Sequence, residues 1–268
     1  MNQFTAPRFA ENIKRLALGL EPLDGGRGGR IPHPVQVIVP GSLAGLPRPV
    51  VDSHDSCLHA LLYQPGLAAS IDVRMEDRFR RYVPRQIRYP ILTLLQAEAL
   101  DYANRVRKPV LFPGAAYDAV SLSTGVRGRV TRGAGPGAPF VRWSRIEARR
   151  SGSNTVIARA HGDDRGEFLL LLPPAASQGS ELVDPLPIRI DAFGPALAPA
   201  PSSSAIPEMD PFWDLPTETA VALDPVNPFA DPVSAGDLLP AGYSATTGRT
   251  VEVPLGTILS VKEPFQIS

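Results

Sequence analysis

Hydrophobic positions recur mostly every second residue along this chain, the period of a β-strand with one buried face. In "PVQVIVPG", Val35, Val37 and Val39 share one face. In "SIDVRMED", Ile71, Val73 and Met75 point one way while Asp72, Arg74 and Glu76 point the other. "CLHALLYQPG" lies between these runs, and Val83, Ile87, Tyr89 and Ile91 supply the apolar positions of a further strand. The pattern predicts a small β unit over 34–91.

Two stretches switch to the helical period. Phe9, Ile13, Leu16 and Leu20 fall on one face of a short amphipathic helix, and "DGGRGGR" at 24–30 then reads as a flexible linker; together they make an N-terminal segment, 1–33. Over 93–107, Thr93 and Gln96 stand in capping-box spacing ahead of Leu95, Ala99, Tyr102 and Val106, and Pro109 ends the run. That predicts a connecting helix and loop over 92–123.

From 124 onward short strands return at spacings of about 8 to 12 residues with glycine turns between them, which suggests a β-sandwich over 124–268. Residues 196–248 interrupt it with a run rich in Pro, Ala and Asp and without periodicity. So long a stretch predicts an extended excursion that wraps the surface or a neighbour, with Phe212, Trp213 and Phe229 as its anchors. The expected class is mainly β: a transthyretin/Ig-like β-sandwich, a smaller N-terminal β unit, one or two short helices and a long Pro-rich excursion.

Composition supports that class. Thirty prolines in 268 residues argue against long helices, since each interior proline costs on the order of 3 kcal/mol. Cys57 is the lone cysteine, which excludes an intrachain disulfide and a Cys-rich zinc site. No leader of signal-peptide form and no run of 18 apolar residues stands in the sequence, so a cytoplasmic chain that spans no membrane is expected, within an assembled particle. Net charge is zero but unevenly spread: residues 74–150 hold 16 basic and six acidic side chains, and residues 163–268 hold four and 15. Such blocks are neutralised inside one fold or between copies, or else they draw an oppositely charged partner.

The stretch 124–172 resembles the carboxypeptidase regulatory-like domain, a transthyretin-like sandwich. The resemblance rests on "GVRGRVTRG", "PFVRWSRIEARR" and "VIARAHGDDRGEFLLLLP". It implies a non-catalytic spacer or docking module in which Asp163 or Asp164 bonds the turn backbone, Gly166 takes a positive φ and Phe168 plugs the core. The preceding "SCLHALLYQPG", "DRFRRYVPRQIRYPI" and "VLFPGAAYD" resemble proteins encoded with phage-tail-like contractile injection systems, some of them baseplate or other particle components.

Several clusters invite a chemical reading. Asp52, His54, Asp55, Cys57 and His59 lie within eight positions, all metal-ligating types. Asp52, His54, Asp55 and His59 would be the ligands of a small metal-dependent hydrolase, and Cys57 would share a face with His59 if 57–63 is a strand. The same residues make good turn chemistry. Ser53 or Ser56 with His54 and Asp52 lacks the nucleophile elbow and convergent elements of a triad. His161 and Asp163 lack a third ligand nearby. "GGRGGR" and "GAGPGAP" lack the Walker lysine and the strand-to-helix setting of a phosphate loop. Arg74, Arg78, Arg142 and Arg145, with Tyr82, Tyr89 and Trp143, could track nucleic acid, but on strands they fit a protein interface better.

The expectation is a non-enzymatic structural or docking protein without a cofactor. Its partners are other protein subunits of a large assembly, copies of itself included, rather than nucleic acid. Contact runs through Phe212, Trp213, Phe229, Arg142 and Arg145. A carbohydrate-binding sandwich and the hydrolase are the alternatives.

Overall fold

In the computed structural model, residues 15–40, 49–64, 66–99, 105–174, 183–202, 208–222 and 230–267 are described. Among them the chain is mainly β, as the alternating pattern predicts, and it forms two sandwiches.

The first unit contains β1 (Leu16–Leu20), β2 (Leu23–Asp24), β3 (Gln36–Ile38), β4 (Val51–Ser53), β5 (His59–Leu62), β6 (Ser70–Glu76), β7 (Arg85–Pro90), α1 (Leu94–Ala99), β8 (Val106–Arg107) and β9 (Val110–Leu111). One of its sheets has the order β4-β5-β1-β8, and the facing sheet runs β7-β6-β3. Leu18, Leu20 and Leu61 from the first meet Val37, Val73, Met75, Ile87 and Tyr89 from the second.

The second unit contains β10 (Gly125–Arg132), β11 (Arg145–Arg150), β12 (Val156–His161), β13 (Glu167–Leu171), β14 (Leu186–Pro195), β15 (Thr217–Thr219), α2 (Pro232–Ala235), β16 (Tyr243–Val253), β17 (Ile258–Ser260) and β18 (Phe265–Ile267). Its sheets are β13-β10-β17, with β18 also on β10, and β12-β11-β14-β16. Val126, Val130, Phe168 and Leu170 pack on Ile146, Ile188, Ile190 and Val253 between them.

Both units are wired alike. The opening strand sits mid-sheet, antiparallel to a later strand (β1 on β5, β10 on β13) and parallel to the closing one (β1 on β8, β10 on β17 and β18). The facing sheets match as well, with β3-β6-β7 corresponding to β11-β14-β16.

Several expectations change. Leu16 and Leu20 lie on the central strand β1 and not on a helix, because β5 and β8 supply partners on both of its edges; Phe9 and Ile13 lie outside the described residues. The first sandwich therefore begins before residue 34 and closes at Leu111. "DGGRGGR" is an anchored turn. Asp24 is buried and accepts from the backbone N–H of Gly26 (2.7 Å) and Arg27 (3.0 Å) and from the hydroxyls of Tyr82 (2.8 Å) and Tyr117 (2.9 Å). The capping box at Thr93 and Gln96 is present, with Thr93 N–H donating to Gln96 Oε1 (2.9 Å). The helix it starts, however, is described only to Ala99, and Val106 is a strand residue whose parallel partner on β1 outweighs the helical spacing.

The Pro-rich excursion departs between β14 and β16 and folds back across the first unit. Within it, Thr217–Thr219 pairs in parallel with β7, which gives that sheet the order β15-β7-β6-β3. The proline-rich stretch thus acts as a strap on its own molecule.

Candidate functional site at the junction of the two sandwiches

Where the strap crosses, three charged side chains are withdrawn from water. Arg85 is fully buried at the start of β7, Arg145 opens β11 of the other unit, and Glu218 sits mid-β15 between them. Arg85 Nε and Nη2 donate to the two oxygens of Glu218 at 3.0 and 2.7 Å, and Arg145 Nη2 donates to Oε1 at 3.0 Å. Arg85 spends its remaining donors on the carbonyls of Val110, Val233 and Ser234. Burial alone would push the Glu218 carboxyl up, but the guanidiniums of Arg85 and Arg145 outweigh it and hold the group below the ordinary glutamate range. This one carboxylate joins both units and the strap. Behind it, Arg107 pairs with Asp231 (3.2 Å), whose other oxygen caps α2 by accepting from the N–H of Val233.

Aromatic groups seal the junction. His161, at the end of β12, stacks on Phe112 of the first unit with ring centroids 3.9 Å apart. Trp143 is buried, donates from Nε1 to Asp214 (2.8 Å) and lies 5.9 Å from the Phe212 ring. Arg74 pairs with Asp210 through two hydrogen bonds, 2.8 and 2.6 Å long, and Arg142 pairs with Asp214 at 2.7 Å.

These contacts correct the partner-binding set. Arg145 is buried in the ion network, Arg142 is held by Asp214 and the Pro211 carbonyl, and Phe212 covers Trp143. Trp213 is half-buried, and its N–H is bonded to the Asp210 carbonyl. Arg142, Arg145 and Phe212 are thus engaged inside the molecule; Phe229 lies outside the described residues.

No family model matches the chain, and no curated protein does. Among solved structures, GBS52, the minor pilin of Streptococcus agalactiae, aligns over 94% of this chain and 96% of that one, at 8% identity and a TM-score of 0.22. That likeness is too slight to carry fold or function.

At Asp163 the geometry is that of a built turn. Its Oδ1 accepts from the N–H of Arg165 (2.8 Å) and Glu167 (2.9 Å), Gly166 has φ +70°, and Phe168 is buried. Asp164 instead reaches across to Arg80 of the first unit at 3.2 Å. The Asp52–His59 cluster is a hairpin end: the N–H of His54 bonds the Leu58 carbonyl, and the N–H of Cys57 bonds the His54 carbonyl. Asp52, His54 and Asp55 are exposed, His54 is bonded to Ser56 (2.7 Å), and His59 is buried with Nδ1 on Ser53 (2.9 Å). Cys57 occupies the turn with φ +60°, so the shared strand face with His59 does not form. Among the described residues no group of three His, Cys, Asp or Glu side chains is placed to hold a metal.

Arg85, Glu218 and Asp231 were not singled out from sequence. Glu218 lies in "LPTETAV", a stretch with no sustained period, and nothing local marks it as the partner of an arginine 133 positions away.

Proposed function

We propose that this chain is a non-enzymatic structural or docking subunit, two sandwiches tied by a strap into one stiff body within a larger protein assembly. The observation that carries the reading is the Arg85–Glu218–Arg145 network. Burying three charges is costly unless each is paired and hydrogen-bonded, and in some proteins such a buried network fixes one geometry over its alternatives. Here the geometry fixed is that of one unit against the other. The class of assembly, a phage-tail-like contractile injection particle, rests on the sequence resemblance.

The test is a gentle pull-down of the native protein from its own cells. Co-purification with sheath, tube or baseplate proteins in a constant ratio is the expected result. Recovery as a lone monomer would overturn the reading.

A further inference from the structure

The outer face of the β13-β10-β17 sheet carries a groove of about 710 Å³, away from the junction network. Strand alternation sends Val126, Gly128 and Val130 inward, so Arg127 and Arg129 project outward along β10. Lys262 joins them from the break between β17 and β18, and Phe140 lines the wall with 51% of its surface exposed. Arg129 pairs with Glu167 and lies over the Phe140 ring. The Arg127 side chain bonds the Ala115 carbonyl, and among the described residues neither it nor Lys262 has an acidic partner. Four arginines of the basic middle pair with the chain's acidic end elsewhere, in Arg74–Asp210, Arg85–Glu218, Arg107–Asp231 and Arg142–Asp214. Among the described residues, two cations of the groove, Arg127 and Lys262, meet no acidic side chain.

We infer that this groove binds an extended acidic peptide segment of a partner protein. The inference rests on the docking reading above and names the chemistry of the partner. Arg127 and Lys262 would meet its carboxylates, and Phe140 an apolar side chain. The volume falls within the roughly 300–1,000 Å³ of specific ligand clefts.

Fluorescence anisotropy of the full chain tests it with three fluorescein-labelled probes: an alternating Glu-Leu peptide, its Gln-Leu counterpart and a single-stranded oligothymidine. Saturable binding of the Glu-Leu peptide is expected, weakened by salt and by about tenfold or more in the double variant Arg127→Glu, Lys262→Glu. Phe140→Ala, at an exposed position, should weaken it without altering the melting temperature. Equal binding of both peptides, tighter binding of the oligothymidine, unchanged binding in the double variant, or no saturable binding would each overturn the inference. The pull-down separates the two readings. Assembly proteins recovered with the double variant as with the wild type would sink the groove alone, whereas peptide binding by a chain that purifies by itself would sink the assembly.

Discussion

His161 shows how one residue couples the junction to pH. Burial holds its imidazole far below the ordinary histidine range, and the charges of Arg145, Arg85 and Arg159 press in the same direction. In the unfolded chain a histidine titrates near 6.5. With a lower folded value, the unfolded state binds more protons below about pH 6.5, so stability is complete above that point and falls as pH drops toward the folded value. Chemical denaturation at about pH 7.5 and 5.5 should therefore show a loss on acidification that shrinks in His161→Phe. His33 and His59, both lowered first of all by burial, would keep the remainder of the slope. An unchanged slope in the variant would show that His161 does not titrate between the two states.

At the scale of the element, the turn from β12 to β13 depends on a close backbone approach as well as on a left-handed residue. Gly166 has φ +70°, and a Cβ there would stand 2.7 Å from the Val130 carbonyl oxygen, whereas Gly152 has φ +78° and open space around it. The left-handed conformation alone costs an alanine about 1–2 kcal/mol. Gly152→Ala should lose that much, and Gly166→Ala should lose clearly more, because backbone rather than a flexible side chain is in the way. Equal losses by urea denaturation would mean that the approach to Val130 relaxes freely. The run "EFLLLL" is explained at this scale too. Phe168 and Leu170 face their own sandwich core, while Leu169, on the outer face, is buried in the core cluster of the first unit. A strand covered on both sides reads as a continuous apolar run.

For the whole molecule, the strap bridges the two sandwiches through Glu218. Glu218→Ala leaves Arg85 and Arg145 buried without their shared carboxylate, a change worth about 3–5 kcal/mol. Calorimetry should show a single transition for the wild type and two for the variant. Trp143 lies at the junction, against Phe212 and Asp214, so its contribution to the fluorescence should follow the first of those transitions. A variant that still melts in one step at the wild-type temperature would exclude the network as the coupling. Arg80→Ala offers the contrast, since its pair with Asp164 is exposed and such pairs contribute under about 1 kcal/mol.

What the sequence determined by itself is what local physics controls. Period-2 alternation marked the strands, Thr93 with Gln96 marked a helix start, and the Asp163–Gly166 stretch marked a turn, because each depends on neighbours a few positions away. The two opposed charge blocks were equally visible. Only the tertiary structure decided what those blocks do. Eight ion pairs, from Arg74–Asp210 to Arg149–Asp191, cross from the basic middle to the acidic end within the described residues. Leu16–Leu20 could satisfy a helical face or a central strand, and the edges of β5 and β8 settled it. Glu218 had no local signature because the partners that keep it ionised, Arg85 and Arg145, meet it only when a proline-rich strap crosses from one sandwich to the other. A buried charge is stabilised by what surrounds it in space, and sequence spacing holds no record of that.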